Sequence, residues 1–266
     1  DLTANILPHN DDIEEFEEFV KDIKNYGFDA VLVADLGLFD MMQELAPEIP
    51  IHVSTQANNI NYRSAIKWYK MGATRVVLAR EMSFKEIAEF QKKIPEDLEL
   101  EAFIHGAMCI SYSGRCLLSN YMTGRDSNMG ACAHPCRWNY KLVEETRPGE
   151  YMDVFENERG TFIFNSKDLC TIRHIPELVQ SGIASLKIEG RVKTSYYVAT
   201  VVGAYRREID RYCADPENYV FNEAEYEELC KVSHRPYTTG FYFGKPDENS
   251  QVYTSSSVSY THLTLP

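Results

Sequence analysis

The sequence predicts an α/β fold built on a parallel sheet, and two observations carry that prediction. Short apolar runs alternate with amphipathic helical stretches at a strand-to-strand pitch of about 21 to 27 residues. The runs are also apolar almost throughout, as in Ala30-Val-Leu-Val-Ala34 and Arg75-Val-Val-Leu-Ala79, which suits strands covered on both faces. In order, the apolar run 2–7 reads as a strand and 11–26 as an amphipathic helix. Strand 29–34, helix 37–46, strand 50–54, helix 61–71, strand 74–79, helix 83–93 and strand 98–104 follow. After Ile104 the rhythm stops. A cysteine-rich stretch occupies 105–140, and a less regular, β-rich stretch runs to about 164. The rhythm resumes with helix 168–181 and strand Ala184-Ser-Leu-Lys-Ile188, followed by a long helix, 194–213, and an acidic segment, 215–228, that reads as a peripheral helix.

This gives a division into a βα-repeat part, 1–104, a cysteine-rich insertion, 105–164, the last βα elements, 165–214, and a peripheral segment, 215–254. Residues 255–266, Ser-Ser-Val-Ser-Tyr-Thr-His-Leu-Thr-Leu-Pro at their end, break from the preceding character and read as a non-native tail. The start at Asp1, directly before an apolar strand, suggests a fragment that lacks preceding strands.

With 266 residues and 44% hydrophobic content, the chain can bury one substantial core or two modest ones. No apolar run approaches the ~20 residues needed to cross a bilayer, so a cytoplasmic protein with no membrane partner is expected. The net charge of −13 argues against indiscriminate coating of nucleic acid. The cysteine-rich stretch departs from that balance: between His105 and Leu142 the charged residues are Arg115, Arg125, Asp126, Arg137 and Lys141. Either a few solvated arginines or a phosphate-binding surface accounts for this island.

Polar residues recur where each strand gives way to its loop: Asn5, Asp35, Ser54-Thr-Gln56-Ala-Asn58, Arg80-Glu81, His105 and Lys187-Ile-Glu189-Gly-Arg191. In parallel α/β folds the carboxyl ends of the strands carry the active site. Gln56, Asn58, His105, Lys187, Glu189 and Arg191 are therefore expected to line one pocket. Simpler readings stand beside this one: Asp35 as a helix cap, Ser54 and Thr55 as the start of a turn, and Glu189 and Arg191 as a mutual pair.

Four cysteines crowd into 28 residues: Cys109, Cys116, Cys132 and Cys136. Without a secretory segment a disulfide framework is a poor explanation, and metal or iron–sulfur ligation a better one. Zinc knuckles favour closely paired cysteines, and of the two pairs only Cys132-x3-Cys136 qualifies, so the looser spacing points to an iron–sulfur cluster. Gly, Ser, Arg, Asn and His surround these four, which is loop chemistry. Cys213 and Cys230, on helical stretches, read as packed core residues, and Cys170 as either a core residue or a substitute fourth ligand.

The run Glu101-Ala-Phe-Ile-His-Gly-Ala-Met-Cys109-Ile-Ser-Tyr-Ser-Gly-Arg-Cys116-Leu-Leu-Ser119 resembles the signature of peptidase family U32, the collagenase-like proteins. The likeness continues through Ser119 to Asp126, Cys132-Ala-His-Pro-Cys-Arg-Trp138, Arg147-Pro-Gly-Glu150, Asn165-Ser-Lys167-Asp168-Leu169 and Ser185 to Arg191. The resemblance implies a TIM-barrel-like fold that opens with two further strands. It also implies one of two chemistries: peptide hydrolysis, or RNA modification of the kind that hydroxylates the wobble uridine of tRNA with prephenate as co-substrate. On the second, a [4Fe–4S] cluster is held by Cys109, Cys116 and Cys132, with Cys136 the first choice and Cys170 the second for the fourth ligand.

A peptidase of known type would show a nucleophile with its base, or paired helical histidines with a glutamate, and neither pattern stands out. Hydroxylation needs an electron-transfer centre, basic groups for an anionic donor and a pocket for a base. Lys187, Glu189, Arg191 and His105 are the catalytic candidates, and Gln56, Asn58, Arg80, Lys167 and Asp168 the substrate-binding ones. The expected partners are tRNA and a paired homologous U32 subunit. A cluster-stabilised module that binds RNA or a partner without turnover is the non-enzymatic alternative. Tyr112, Tyr121 and Trp138 stand near the cysteines as stacking or packing groups, with burial against the barrel expected for Trp138.

Overall fold

The computed structural model describes residues 1–109, 111–112, 115–138, 142–143, 151–152 and 167–244. The expected tail at 255–266, most of the irregular stretch before 164, and the Arg147-Pro-Gly-Glu150 and Asn165-Ser motif residues lie outside them.

The βα rhythm is realised as β1 (Leu2–Thr3), α1 (Ile13–Ile23), β2 (Val31–Val33), α2 (Leu36–Leu45), β3 (Ile51–Val53), α3 (Tyr62–Lys70), β4 (Ala73–Val77), α4 (Phe84–Gln91) and β5 (Glu99–Ala107). After these come α5 (Leu118–Thr123), a small hairpin of β6 (Leu142–Val143) and β7 (Tyr151–Met152), then β8 (Asp168–Cys170), α6 (Ile175–Gln180), β9 (Ser185–Ile188), α7 (Ser195–Ala214), α8 (Glu223–Leu229) and β10 (Tyr237–Thr238). β1 to β5 and then β9 pair in parallel, each beside its predecessor in the βα series. This singly wound order is that of a partial (β/α) barrel, as the TIM-barrel-like expectation holds.

Local chemistry fixes the helix starts. Asp35 accepts hydrogen bonds from the Gly37 and Leu38 amides and caps α2, as the simpler reading of that residue anticipated. Ser83 and Glu86 form a reciprocal capping box at α4, and the Thr194 hydroxyl accepts from the Tyr197 amide at α7.

The pleat sorts the strands into two faces. Val31, Val33, Ile51, Val53, Val76 and Leu100 enter one core with Val20, Leu38, Phe39, Met42 and Ala65 of the helices. The other face is less apolar than the runs suggested. There Glu101, almost fully buried, takes the Lys187 ammonium at 2.6 Å, the Ser185 hydroxyl at 2.8 Å and the Arg75 guanidinium at 3.3 Å. Burial alone would raise the Glu101 pKa, but these donors hold it below the usual carboxylate range. A second core forms around Ile172, Ile175, Leu178, Val201 and Tyr205, where α6 and α7 pack.

Three sequence expectations are corrected. Residues 168–170 open no helix: they form β8, antiparallel to His105–Ala107 of β5 and parallel to β10. The helix begins only at Ile175. Pairing with strands more than 60 residues away, together with the buried ion pair of Asp168 and Arg235 at 2.7 Å, overrides the local helical pattern. Second, β5 continues past 104 to Ala107, so the break in rhythm comes three residues later. Third, Cys213 and Cys230 are exposed. α7 buries Val201, Ala204, Tyr205, Glu208 and Tyr212, and Cys213, one residue beyond Tyr212, is turned about 100° off that stripe. Cys230 stands at the end of α8, where the helix terminates. No helix among the described residues is long and apolar enough to cross a membrane.

Candidate functional site

The carboxyl ends of β3, β4, β5 and β9 open on one cavity of about 290 Å³, roofed by the cysteine-rich segment. Gln56 follows β3, Arg80 follows β4, and Met108 and Cys109 follow β5, while Glu189 and Arg191 follow β9. The roof supplies Cys116, Arg125, Cys132 and Cys136.

Two glycines make this closure feasible. Gly106 lies at φ +111°, and a Cβ there would run into the Glu189 carbonyl, so β5 and β9 approach each other only because the position is bare. Gly130 lies at φ +77°, and a Cβ would come 2.8 Å from a guanidinium nitrogen of Arg191, so the roof rests directly on that side chain. Further bonds tie the roof down. The Ser119 Oγ accepts from the Ala133 amide at 2.9 Å, joining α5 to the Cys132–Cys136 turn, and the Leu7 amide donates to the Asn128 carbonyl at 3.3 Å.

The two arginines differ in setting. Arg80 is largely buried over the Phe103 ring, 3.9 Å from its centroid, donates to the Ala107 carbonyl at 3.3 Å and stands 3.8 Å from Glu189. Burial lowers its pKa, opposed by Glu189 and Cys109. Arg191 is anchored through its backbone, whose N–H donates to Glu189 Oε1 at 2.8 Å, while its guanidinium faces the cavity. The simpler reading of a Glu189–Arg191 pair is thus met through the backbone, and the Glu189 carboxylate faces Arg80.

Cys109, Cys116, Cys132 and Cys136 all line this cavity. The Leu118 amide donates to Cys116 Sγ and the His134 amide to Cys132 Sγ, each at 3.4 Å. Cys109 is exposed as a residue, yet the protein packed around its thiol pushes the thiol up, with the neighbouring Cys116 and Cys132 adding to the rise. Among the described residues no three His, Cys, Asp or Glu side chains are grouped closely enough to hold a metal ion, so the four thiols share a cavity without meeting at one centre.

Cys170 is elsewhere. It is buried in the second core 4.0 Å from the Tyr205 hydroxyl, and burial raises its thiol to about 11. Cys136 lines the cavity and Cys170 does not.

The remaining expected members divide. Gln56, Arg80, Glu189 and Arg191 line the cavity, and the Gln56 Oε1 is buried without a hydrogen-bond partner. Asn58, at φ +53°, donates instead to the Gln56 carbonyl and is not in the lining. Lys187 is engaged by Glu101 on the sheet face and does not reach the cavity. Asp168 is sealed by Arg235, whose amide and guanidinium both donate to its carboxylate, and Lys167, just before β8, is likewise outside the lining. His105 is fully buried among the rings of Tyr197, Tyr205 and Tyr237, at centroid distances of 6.0, 5.5 and 5.3 Å. Its Nδ1 faces the Tyr205 hydroxyl at 3.4 Å, and its Nε2 has no partner.

Arg125, His134 and Lys193 line the cavity and were not singled out as site residues. Arg125 belonged to the basic island, and Lys193 follows Arg191 by two residues. His134 had only its place between two cysteines to mark it. Trp138, expected to be buried, is 45% exposed.

The profile of peptidase family U32 matches residues 2–252. The chain is 42% identical, over 98% of its length and 61% of the relative's, to "tRNA hydroxylation protein P1" of Bacillus subtilis (strain 168). It is 40% identical, over 90% of its length and 61% of the relative's, to "tRNA hydroxylation protein P" of Escherichia coli (strain K12). A Methanocaldococcus jannaschii protein named "Uncharacterized protease MJ0090" is 41% identical over 93% of the chain and 60% of its own length. The chain thus spans about three fifths of the length of these relatives.

Proposed function

The chain belongs to peptidase family U32, and from that premise we propose that the protein hydroxylates RNA, with C5 of the wobble uridine in tRNA as its target. The single observation that carries the reading is the shared cavity, in which four thiols stand with Arg80, Arg125 and Arg191 at the carboxyl ends of the strands. The names of the Bacillus and Escherichia relatives support the substrate class.

The donor set suits an iron–sulfur cluster: four cysteines on one cavity, two of them already accepting backbone N–H bonds. Cys109, Cys116, Cys132 and Cys136 would hold a [4Fe–4S] cluster, which when bound supplies one-electron transfer. The arginines would hold an anionic co-substrate of the prephenate type, since a guanidinium meets a carboxylate in a fixed two-pronged geometry. Glu189 stands 3.8 Å from the Arg80 guanidinium and balances its charge at the cavity wall, and the Gln56 amide offers an unused acceptor to a substrate N–H. The setting is cytoplasmic, and a paired homologous U32 subunit belongs to the same proposal.

A peptidase reading has the name of the Methanocaldococcus relative in its favour. The site supports it less: His105, the histidine four residues before Cys109, faces Tyr205 and the aromatic rings and does not activate that thiol.

Mass spectrometry of tRNA from cells carrying only a variant chain tests the proposal. Cys116→Ala and Arg191→Ala should each abolish the hydroxylated uridine. Arg191→Lys, which keeps charge but not the fork, should leave a severe defect. Unchanged hydroxylation together with lost gelatin cleavage would overturn the reading in favour of the peptidase.

A further inference from the structure

We propose that the rim formed by α5 and the turn at Pro135–Arg137 is a docking surface for an unpaired RNA loop, whose bases stack on Tyr121 and Trp138 while Arg115 and Arg125 meet its phosphates. The inference rests on the RNA-modifying reading and adds where on the chain the nucleic acid lies.

Exposure comes first. Of the fifteen large apolar side chains exposed among the described residues, four lie between 117 and 138, Leu117, Tyr121, Met122 and Trp138, whereas Tyr112 lines a separate pocket with Tyr62 and Phe241. Tyr121 is 85% exposed on a short helix that is itself tied to the Cys132–Cys136 turn through Ser119. The Tyr121 and Trp138 rings are therefore carried on braced elements whose own residues Leu118, Ser119, Pro135 and Cys136 line the cavity. A monomeric surface seldom gathers apolar groups this way without a partner.

Charge decides which partner. The whole chain carries −13, yet the stretch from Arg115 to Trp138 holds Arg115, Arg125 and Arg137 against Asp126 alone. Arg125 is both exposed and part of the cavity lining, so it links the rim to the site. Aromatic rings interleaved with guanidinium groups fit single-stranded nucleic acid, because every base offers a π-face and every nucleotide a phosphate. A duplex hides its base faces and offers only phosphates, which the acidic remainder of the chain repels. A loop next to the cavity also places one unstacked base within reach of the site, which chemistry on a base requires.

The test is fluorescence anisotropy with the full chain, using a labelled RNA hairpin that carries a uridine in its loop and, as comparison, the same nucleotides annealed as a continuous duplex. The hairpin should bind more tightly than the duplex. Tyr121→Ala and Trp138→Ala should each weaken hairpin binding about five- to a hundredfold. Tyr121→Phe and Trp138→Phe, which keep a ring, should bind as the parent does, with circular dichroism unchanged throughout. Arg115→Gln should flatten the dependence of affinity on salt. Equal binding of hairpin and duplex, or alanine variants that bind as the parent does, would overturn the docking surface. So would a rim that instead proves to be buried by a second copy of the chain. The two readings fail separately. Hairpin binding that depends on Tyr121 in a protein that hydroxylates no tRNA sinks the catalytic reading and leaves this surface. Normal hydroxylation with unchanged affinity in the alanine variants sinks this surface alone.

Discussion

The backbone carbonyl of Glu189 lies so close to the Cα of Gly106 that no side chain fits between them. This contact draws the end of β9 onto the end of β5 and so sets Arg80, Cys109 and Arg191 around one cavity.

Gly106→Ala should therefore hurt stability and site together. The φ of +111° alone is strained for alanine, at about 1–3 kcal/mol, and the clash with backbone adds to that. For a chain of this size each kcal/mol lowers the melting temperature by about 2–4 °C. Gly124→Ala is the control: it shares a positive φ, but a Cβ there would meet nothing within 4 Å. A melting temperature for Gly106→Ala no lower than that of the control would contradict the close-approach argument.

Lys187 was expected among the catalytic groups, and its 2.6 Å bond to the buried Glu101 assigns it a structural part. Lys187→Met should destabilise the fold by about 1–3 kcal/mol, less than the loss of a fully sealed partner, because Arg75 and Ser185 still reach Glu101. Restoring neutrality with Glu101→Gln in the same chain should recover part of that loss. Urea unfolding of the single and double variants measures it. Full stability of the single variant with lost hydroxylation would return Lys187 to the site.

Much of this was legible in the sequence, for physical reasons that differ by element. Parallel strands covered by helices betray themselves through unbroken apolar runs, so β2 and β4 were readable, and Asp35 carried its capping role in its position before α2. The cysteine density and the polar strand ends pointed to the cavity because chemistry on loops leaves residue types that cores avoid. β8 was not readable: three residues give no period, and its partners Ala107 and Tyr237 are 61 and 69 residues distant from Asp168. The same distance hid Arg235 as the partner of Asp168. A strand-end position also says nothing of which way a side chain turns, which is why His105 and Lys187 followed the pattern without entering the cavity.

The cysteines can be tested apart from catalysis. In anaerobically purified protein, Cys116→Ser, Cys132→Ser and Cys136→Ser should each lower bound iron and sulfide to well under half of the parent value. Cys170→Ser should leave the iron in place and cost about 1–3 kcal/mol instead, since it sets a hydroxyl into the apolar core of Ile172 and Leu178. Retained iron in Cys136→Ser with loss in Cys170→Ser would exchange the two assignments.

His105 supplies a test by acid. Burial is the main cause that lowers its pKa to about 3, with His234 and Lys193 acting in the same direction and Asp168 opposing them. In the unfolded chain the ring returns to the usual value of about 6.5. Above pH 6.5 the ring is neutral in both states and contributes nothing to pH dependence. Below it, the unfolded chain takes up a proton that the folded protein refuses, so stability falls with falling pH by about 1.4 kcal/mol per unit until the folded value is reached. His52, lowered to about 4 by burial and by Arg75, loses stability in the same direction, so the parent protein alone cannot isolate one ring. His105→Phe can. It fills the same aromatic surroundings without a titrating group, and in urea unfolding between pH 6.5 and 4 its stability should fall less steeply than the parent's by about one proton's worth. Parallel slopes would mean that His105 is not held neutral and sealed, and would reopen its candidacy as an acid or base for the site.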